Sequence, residues 1–129
     1  MAEVVFRLSG VSETPARTYV RARGFDMIVD EPPSLGGDDL GPNPVEYVLA
    51  GLAGCINVVG QMVAEEMGME IRRLEIEVRG KLNPAKFSGK SSEDRAGFKE
   101  IVVFLQVDTD ASNTQLFEWT EQVESRCPV

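Results

Sequence analysis

The chain has 129 residues, with 13 Lys plus Arg against 21 Asp plus Glu, two cysteines and no histidine. Its 43% hydrophobic and 26% charged residues are typical of an ordinary soluble globular protein, and one domain over residues 1–129 is expected at this length. Because histidine is absent, a Ser-His-Asp or Cys-His nucleophile, a Cys/His zinc site and a histidine proton shuttle are excluded within one chain. We expect no metal and no cofactor.

The net charge of −8 argues against nucleic acid and anionic membranes as partners, since both are negatively charged. Residues 1–10 have an acid at position three and no basic stretch before an apolar run, so they do not have the pattern of a secretory signal. We therefore expect a cytoplasmic protein. In that reducing compartment we expect the two cysteines to be reactive free thiols rather than a permanent disulfide.

Three short segments rich in β-branched or aromatic residues open the chain, at residues 4–9, 18–23 and 25–30. Gly10, Pro15 and Gly24 separate them, so the pattern predicts an antiparallel meander. A run of turn-forming residues follows and predicts a loop over 31–44.

A long helix is predicted to begin after this loop. Asn43 is placed as the N-cap, Pro44 as the first helical residue and Glu46 as the capping-box acid. The next 18 residues, 47–64, carry no charge, which raises the alternative of a membrane span. The segment is barely long enough, contains glycines and amides and lacks basic flanks, so a buried central helix ending near Gly68 is the interpretation we adopt.

Two strands and a helix complete the predicted order. Residues 74–82 and 101–107 alternate apolar and polar positions and predict two paired strands, joined by a polar connection over 83–98. Ser112 and Gln115 form a second capping-box pattern, which opens a second helix. The apolar stripe of that helix consists of Leu116, Trp119, Val123 and Cys127.

The second helix must stop at Cys127, because Pro128 disfavours helical geometry in the residue before it. The element order indicates an α+β fold: N-terminal antiparallel strands, a long buried central helix, two further strands and a second helix. So few elements cannot cover a helix that is apolar on every side. A second copy of the chain could supply the cover, so we expect a homodimer.

The two cysteines are the candidates for chemistry. Cys55 lies in the apolar helix, where the alternative is that it packs as a small hydrophobic residue with a pKa raised by burial. Cys127 lies at the end of the second helix, where the helix dipole disfavours a thiolate. Without histidine, the cation that stabilises a thiolate must be Arg or Lys. The candidates are Arg17, Arg21, Arg23 and Arg126.

Residues 36–55, which run from Gly36-Gly37 through Gly-Pro-Asn-Pro to Cys55, are followed by an alternating strand and a distant Cys127-Pro128-Val129. This combination resembles the OsmC/Ohr family, whose members are osmotically inducible and organic hydroperoxide resistance proteins. The resemblance covers the chain from about residue 18 to its end. It implies a single OsmC-like domain and an intertwined dimer with the long helices at its centre.

The resemblance also implies a two-cysteine peroxidase, active in the oxidative stress response. Cys55, as a thiolate, attacks the peroxide and becomes a sulfenic acid, and Cys127 then condenses with it to a disulfide that an external dithiol reduces. Organic hydroperoxides are the expected substrates, because the residues around Cys55 are apolar.

The chain departs from the family pattern in three places. The family's catalytic glutamate directly follows the loop proline, whereas here Val45 does and the acid is Glu46, so Glu46 is either catalytic or only the helix cap. The family's activating arginine lies in the N-terminal strand region, where no arginine of this chain aligns firmly with it. Arg17 is the first choice, and Arg21 or Arg23 is the next. Relatives usually continue past the Cys-Pro pair with a final strand, so we expect Cys127 to be frayed.

These departures leave an alternative function open. It is an OsmC-like module that senses redox state or binds a small apolar ligand with little turnover. A third possibility is a purely structural dimer with two inert cysteines.

Overall fold

A computed structural model describes residues 1–129, and it confirms the predicted α+β order of elements. The chain forms two compact units, an N-terminal unit of residues 1–48 and a C-terminal unit of residues 49–129. The elements are β1 Ser9–Ser12, β2 Thr18–Ala22, β3 Phe25–Val29, a short 3-10 helix Pro33–Leu35, α1 Pro44–Glu66, β4 Arg73–Lys81, β5 Glu100–Asp108 and α2 Asn113–Arg126. A single domain over the whole chain stays a prediction.

The N-terminal unit contains a three-stranded antiparallel sheet in the order β1-β2-β3. The predicted second and third strands are confirmed to within one residue, but the prediction of a strand over 4–9 is wrong, since β1 begins only at Ser9. Ser9 pairs with Arg21, and β2 ends one residue later, at Ala22. Residues 4–7 therefore extend past the end of β2, and residues 4–8 pair with no strand of this chain.

Helix α1 begins and ends as the sequence predicts. Asn43 Oδ1 accepts the Glu46 N–H at 2.8 Å, and the Glu46 carboxylate accepts the Asn43 N–H at 2.9 Å, which completes the capping box. At the other end, the Met69 N–H donates to the Ala64 carbonyl at 2.8 Å. Gly68 adopts the left-handed conformation, with φ of 68°, that this type of helix ending favours.

By length and a mean hydropathy of 1.6, α1 could also span a membrane, but its buried side forms the core of the C-terminal unit. Within one chain this burial is one-sided. The opposite face is exposed and includes Gly51, Gly54, Val58 and Met62.

Strands β4 and β5 pair antiparallel along their whole length, as predicted, and their alternate residues Leu74, Ile76, Val103 and Leu105 pack toward the core. Trp119 on α2 is 1% exposed, and its indole Nε1–H donates to a carbonyl of α1 at 2.8 Å. The predicted stripe of α2 therefore faces the core. The buried core of this unit consists of Ile56, Val59, Val63, Ala64, Met69, Trp119 and Val123.

Candidate active site

The structure brings Cys55 and Cys127 together, although 71 residues separate them in the chain. Cys55 lies in the middle of α1, and Cys127 is the C-cap residue of α2, with its N–H bonded to the Val123 carbonyl at 3.1 Å. Both thiols are free and half-buried, and both side chains pack against the core. Cys127 is therefore held by the core rather than frayed.

The two sulfurs are 2.9 Å apart, and the Cys127 thiol donates to Cys55 Sγ. A disulfide bond is about 2.05 Å long, so a movement of roughly 1 Å closes the bond. Burial is the main cause that raises the pKa of Cys127 above its ordinary value of 9.0, and the hydrogen bond to Cys55 acts in the same direction. Cys127 therefore keeps its proton at neutral pH.

A cavity of about 450 Å³ within the C-terminal unit is lined by Cys127, whereas Cys55 is not among its lining residues. Helix α1 contributes Leu52 and Ile56, which lie three residues before and one residue after Cys55. Most of the wall is apolar, so the space beside the sulfurs suits an organic molecule better than a small polar one. The remaining lining residues are Ile101, Val103, Leu105, Thr120, Val123, Glu124, Cys127 and Val129.

Arg17, the first choice for the activating cation, is located in the N-terminal unit. Its guanidinium bonds to the Glu13 carboxylate at 3.2 Å and to the Asp38 carboxylate at 2.9 Å. The hydrogen bond that Arg17 donates to Glu13 is the largest cause that raises the pKa of Arg17, and the hydrogen bond to Asp38 adds to it. Arg17 is thus a permanent cation that is held by two carboxylates.

The other three candidate arginines have partners of their own. Arg126 pairs with Glu66 through two bonds of 2.6 and 3.0 Å in the C-terminal unit. The Arg21 guanidinium lies 3.6 Å from a carboxylate of the same sheet, and the Arg23 guanidinium lies 5.0 Å from the centre of the Phe25 ring.

Glu46 caps α1, as one of its two predicted roles requires. Both its backbone N–H and its carboxylate are bonded to Asn43, so the carboxylate is committed to the helix terminus. No group of three or more His, Cys, Asp or Glu side chains is arranged to hold a metal ion.

Sequence reasoning missed Asp30, which is fully buried, with 0% exposure. Its carboxylate accepts the backbone N–H groups of Glu31, Asp38 and Leu40 at 2.8, 3.3 and 3.1 Å. It therefore shapes the loop that carries Asp38, which in turn binds Arg17. An aspartate at the end of a predicted strand, just before a glycine-rich loop, is the one signal that could have pointed to it.

Residues 36–129 match the family model for OsmC-like protein. A comparison with curated protein sequences gives no significant match. Among solved structures, the chain is similar to an OsmC-like protein from Mycoplasma pneumoniae, with a TM-score of 0.84 and 20% identity over 98% of this chain and 85% of that one.

Two further solved structures are organic hydroperoxide resistance proteins. The one from Legionella pneumophila has a TM-score of 0.68 and 18% identity, over 99% of this chain and 88% of that one. OhrB of Bacillus subtilis has a TM-score of 0.63 and 24% identity, over 97% of this chain and 87% of that one. At these identities the likeness shows a shared fold.

Proposed function

This chain belongs to the OsmC-like protein family, and from that premise we propose that it is a thiol-dependent peroxidase that reduces organic hydroperoxides. The observation that carries the proposal is the 2.9 Å separation of the Cys55 and Cys127 sulfurs beside an apolar cavity. Similar folds that are named organic hydroperoxide resistance proteins support it. Two free thiols also support a cytoplasmic location.

The proposed chemistry has three balanced steps. The Cys55 thiolate attacks the terminal oxygen of ROOH, the O–O bond breaks, and the departing alkoxide takes a proton to give ROH, which leaves Cys55 as a sulfenic acid. Cys127 Sγ then attacks the Cys55 sulfur, the S–O bond of the sulfenic acid breaks, and the proton lost from the Cys127 thiol joins the departing hydroxyl to give water. An external dithiol reduces the resulting disulfide by exchange and becomes oxidised itself.

The contact between the two sulfurs and the pKa of Cys127 support these roles. Cys127 donates to Cys55, and burial raises the pKa of Cys127, so the thiol that keeps its proton is the resolving one. We therefore assign the first attack to Cys55.

For the remaining site residues we propose separate roles. Arg17 supplies the cation that favours the Cys55 thiolate, and Arg17→Met is expected to slow Cys55 oxidation about tenfold. A catalytic role for Glu46 stays a prediction. Its carboxylate accepts the Asn43 N–H, so it would have to act while it also caps the helix. Glu46→Gln tests it, because glutamine keeps the cap acceptor and loses only the charge.

The exposed face of α1 supports the proposal of a homodimer. Val58 is 57% and Met62 is 49% exposed, and a Cβ added to Gly51 or Gly54 would meet no atom within 4 Å. A second copy could therefore approach the backbone of this face closely and cover it. No nucleic acid and no membrane is proposed as a partner.

Charge placed on this face tests the dimer. Val58→Glu should shift the molar mass measured by light scattering from two chains to one, because the carboxylate would be desolvated in the interface. Phe117→Glu is the matched control, since Phe117 is 66% exposed on α2. A wild-type chain that is monomeric at micromolar concentration would exclude the dimer.

Peroxide consumption with dithiothreitol as reductant tests the peroxidase directly. Cys55→Ser should lose all turnover, because no sulfenic acid can form. Cys127→Ser should consume one equivalent of cumene hydroperoxide and then recycle slowly, because no disulfide can form. Full turnover by Cys55→Ser would exclude the proposal.

One observation favours the alternative of a redox-sensing or ligand-binding module with little turnover. The Arg17 guanidinium is already bonded to Glu13 and Asp38, and the Glu46 carboxylate is already bonded to its cap. The module predicts that Cys55 reacts with cumene hydroperoxide no faster than free cysteine does. The peroxidase predicts a reaction at least about 100-fold faster.

A further inference from the structure

The cavity lined by Cys127 has an uneven distribution of charge. None of its lining residues is basic, and Glu124 is the only one of them with a charged side chain. Glu124 lies one turn before Cys127 on α2, so it shares the face of the helix that carries the sulfur into the site. Any ligand that reaches the sulfurs through this cavity passes near a carboxylate.

The Glu124 carboxylate has no cation to neutralise it. It forms no ion pair and no hydrogen bond in the structure, whereas the guanidinium of Arg126, two residues later, is held by both oxygens of Glu66. The negative charge of Glu124 is therefore available to act on a ligand.

The end of α2 adds to the same potential. Cys127 is the C-cap of this helix, where the unpaired carbonyl groups carry the negative end of the helix dipole. The Glu124 carboxylate and the end of α2 thus both contribute negative charge at one side of a largely apolar cavity. An anionic ligand would be repelled by both, and an uncharged one would lose nothing.

We propose that Glu124 makes this site selective for uncharged organic hydroperoxides and disfavours those that carry a carboxylate. The proposal rests on the function proposed above and names the class of substrate that the same site accepts. Glu124 is a specificity-determining residue here, and it takes no part in the bond changes at sulfur. Because the Glu124 side chain is exposed to solvent, the discrimination depends on salt, and we expect it to be about tenfold at low ionic strength.

Two hydroperoxides that differ by one carboxylate group provide the test: cumene hydroperoxide and its para-carboxylate derivative. The wild-type chain should show a kcat/KM about tenfold higher for the neutral compound in 20 mM salt, with dithiothreitol as reductant. In Glu124→Gln this ratio should fall to within about threefold of unity. In 0.5 M salt the wild-type ratio should fall similarly, because salt screens the charge.

A matched variant separates the local charge from the net charge of −8. Glu121 is also an exposed acid of α2, one turn before Glu124, but it does not line the cavity. Glu121→Gln should keep the wild-type ratio. Equal ratios for both variants, or no preference in the wild type, would overturn the proposal.

Binding of the two product alcohols distinguishes this proposal from the peroxidase itself. Calorimetry with cumyl alcohol and its para-carboxylate should give the same approximately tenfold preference for the neutral alcohol, lost in Glu124→Gln. If neither hydroperoxide is consumed, the proposed function fails, and these binding ratios still decide whether Glu124 selects by charge. Equal dissociation constants for both alcohols would exclude the selectivity.

Discussion

The two units of the molecule are stabilised by different means. The C-terminal unit contains seven of the eight buried hydrophobic residues, centred on Trp119 and Val63 at 1% exposure each. The N-terminal unit contributes only Val20 to that set, and its most buried side chain is the carboxylate of Asp30. One unit is organised by apolar packing and the other by hydrogen bonds to a buried charge.

This difference matches where the candidate site residues lie. The cysteines lie on two helices that pack around the Trp119 core. A rigid core suits two sulfurs that must be positioned to within about 1 Å to form a bond. Arg17 is instead held by a loop whose shape depends on Asp30. The N-terminal unit also leaves large apolar side chains exposed that its own residues do not cover: Val4, Val5, Phe6, Leu8, Val11 and Phe25.

The largest effect is expected from breaking the apolar unit at its centre. Trp119→Ala removes the largest buried side chain and leaves the Gly60 carbonyl without its donor, so the free energy of unfolding should fall by about 3–5 kcal/mol. Urea denaturation followed by circular dichroism measures the change. Phe117→Ala on the same helix, 66% exposed, should cost less than about 0.5 kcal/mol.

Equal losses for the two tryptophan and phenylalanine variants would show that this core does not stabilise the unit. Apolar packing would then not be what distinguishes the C-terminal unit from the N-terminal unit.

A more local effect is expected from Asp30→Asn. Both carboxylate oxygens of Asp30 accept backbone N–H groups, so the amide that replaces one oxygen must face a donor. The loop should loosen while the C-terminal core remains, and the Leu40 amide should exchange with solvent at least about tenfold faster. Asp39→Asn in the same loop is the control, because the Asp39 side chain is exposed.

Acid should reproduce the effect of Asp30→Asn. Burial alone would raise the pKa of Asp30, but its three N–H donors and Arg17 outweigh burial and hold it below its usual value of 3.8. The stability that this carboxylate contributes is therefore fully present above pH 3.8 and is lost as the pH falls through the lower folded value. Protection of the Leu40 amide that persists unchanged to pH 2 would contradict this account.

The smallest effect is expected at Cys127. A change in pH there should alter only the rate at which the disulfide closes, and not the structure. Because burial raises its pKa above 9.0, the fraction of thiolate rises about tenfold per pH unit in the range well below 9.0. Closure of the disulfide from the Cys55 sulfenic acid should accelerate in proportion, as measured by alkylation and mass spectrometry after rapid mixing. If the rate stops rising with pH before pH 8 is reached, Cys127 is not the buried, protonated thiol described above.

The helices and the longer strands could be predicted from the sequence because their signals are local. The capping boxes at Asn43 and Ser112 are each complete within four residues, and both are present as predicted. The alternation in β4 and β5 likewise depends only on nearest neighbours along the chain. The strand over 4–9 was wrong because an apolar pattern does not reveal whether a partner strand is available.

The site depends on long-range contacts that no local pattern contains. Cys55 and Cys127 meet because α2 packs on α1 through Trp119, and only the family resemblance linked them beforehand. Asp30 reaches an N–H group ten residues away, which no cap or turn pattern describes. Residues that bond along one element were predictable, and residues that act between elements were not.

The central claim is that the two cysteines form one redox pair, and the intact mass tests it most directly. After one equivalent of cumene hydroperoxide, the wild-type chain should lose two hydrogens, which corresponds to a disulfide, while Cys127→Ser should gain one oxygen on Cys55. Cys55→Ser should keep its mass. A wild-type mass that does not change would contradict the account, since sulfurs 2.9 Å apart would then take no part in peroxide chemistry.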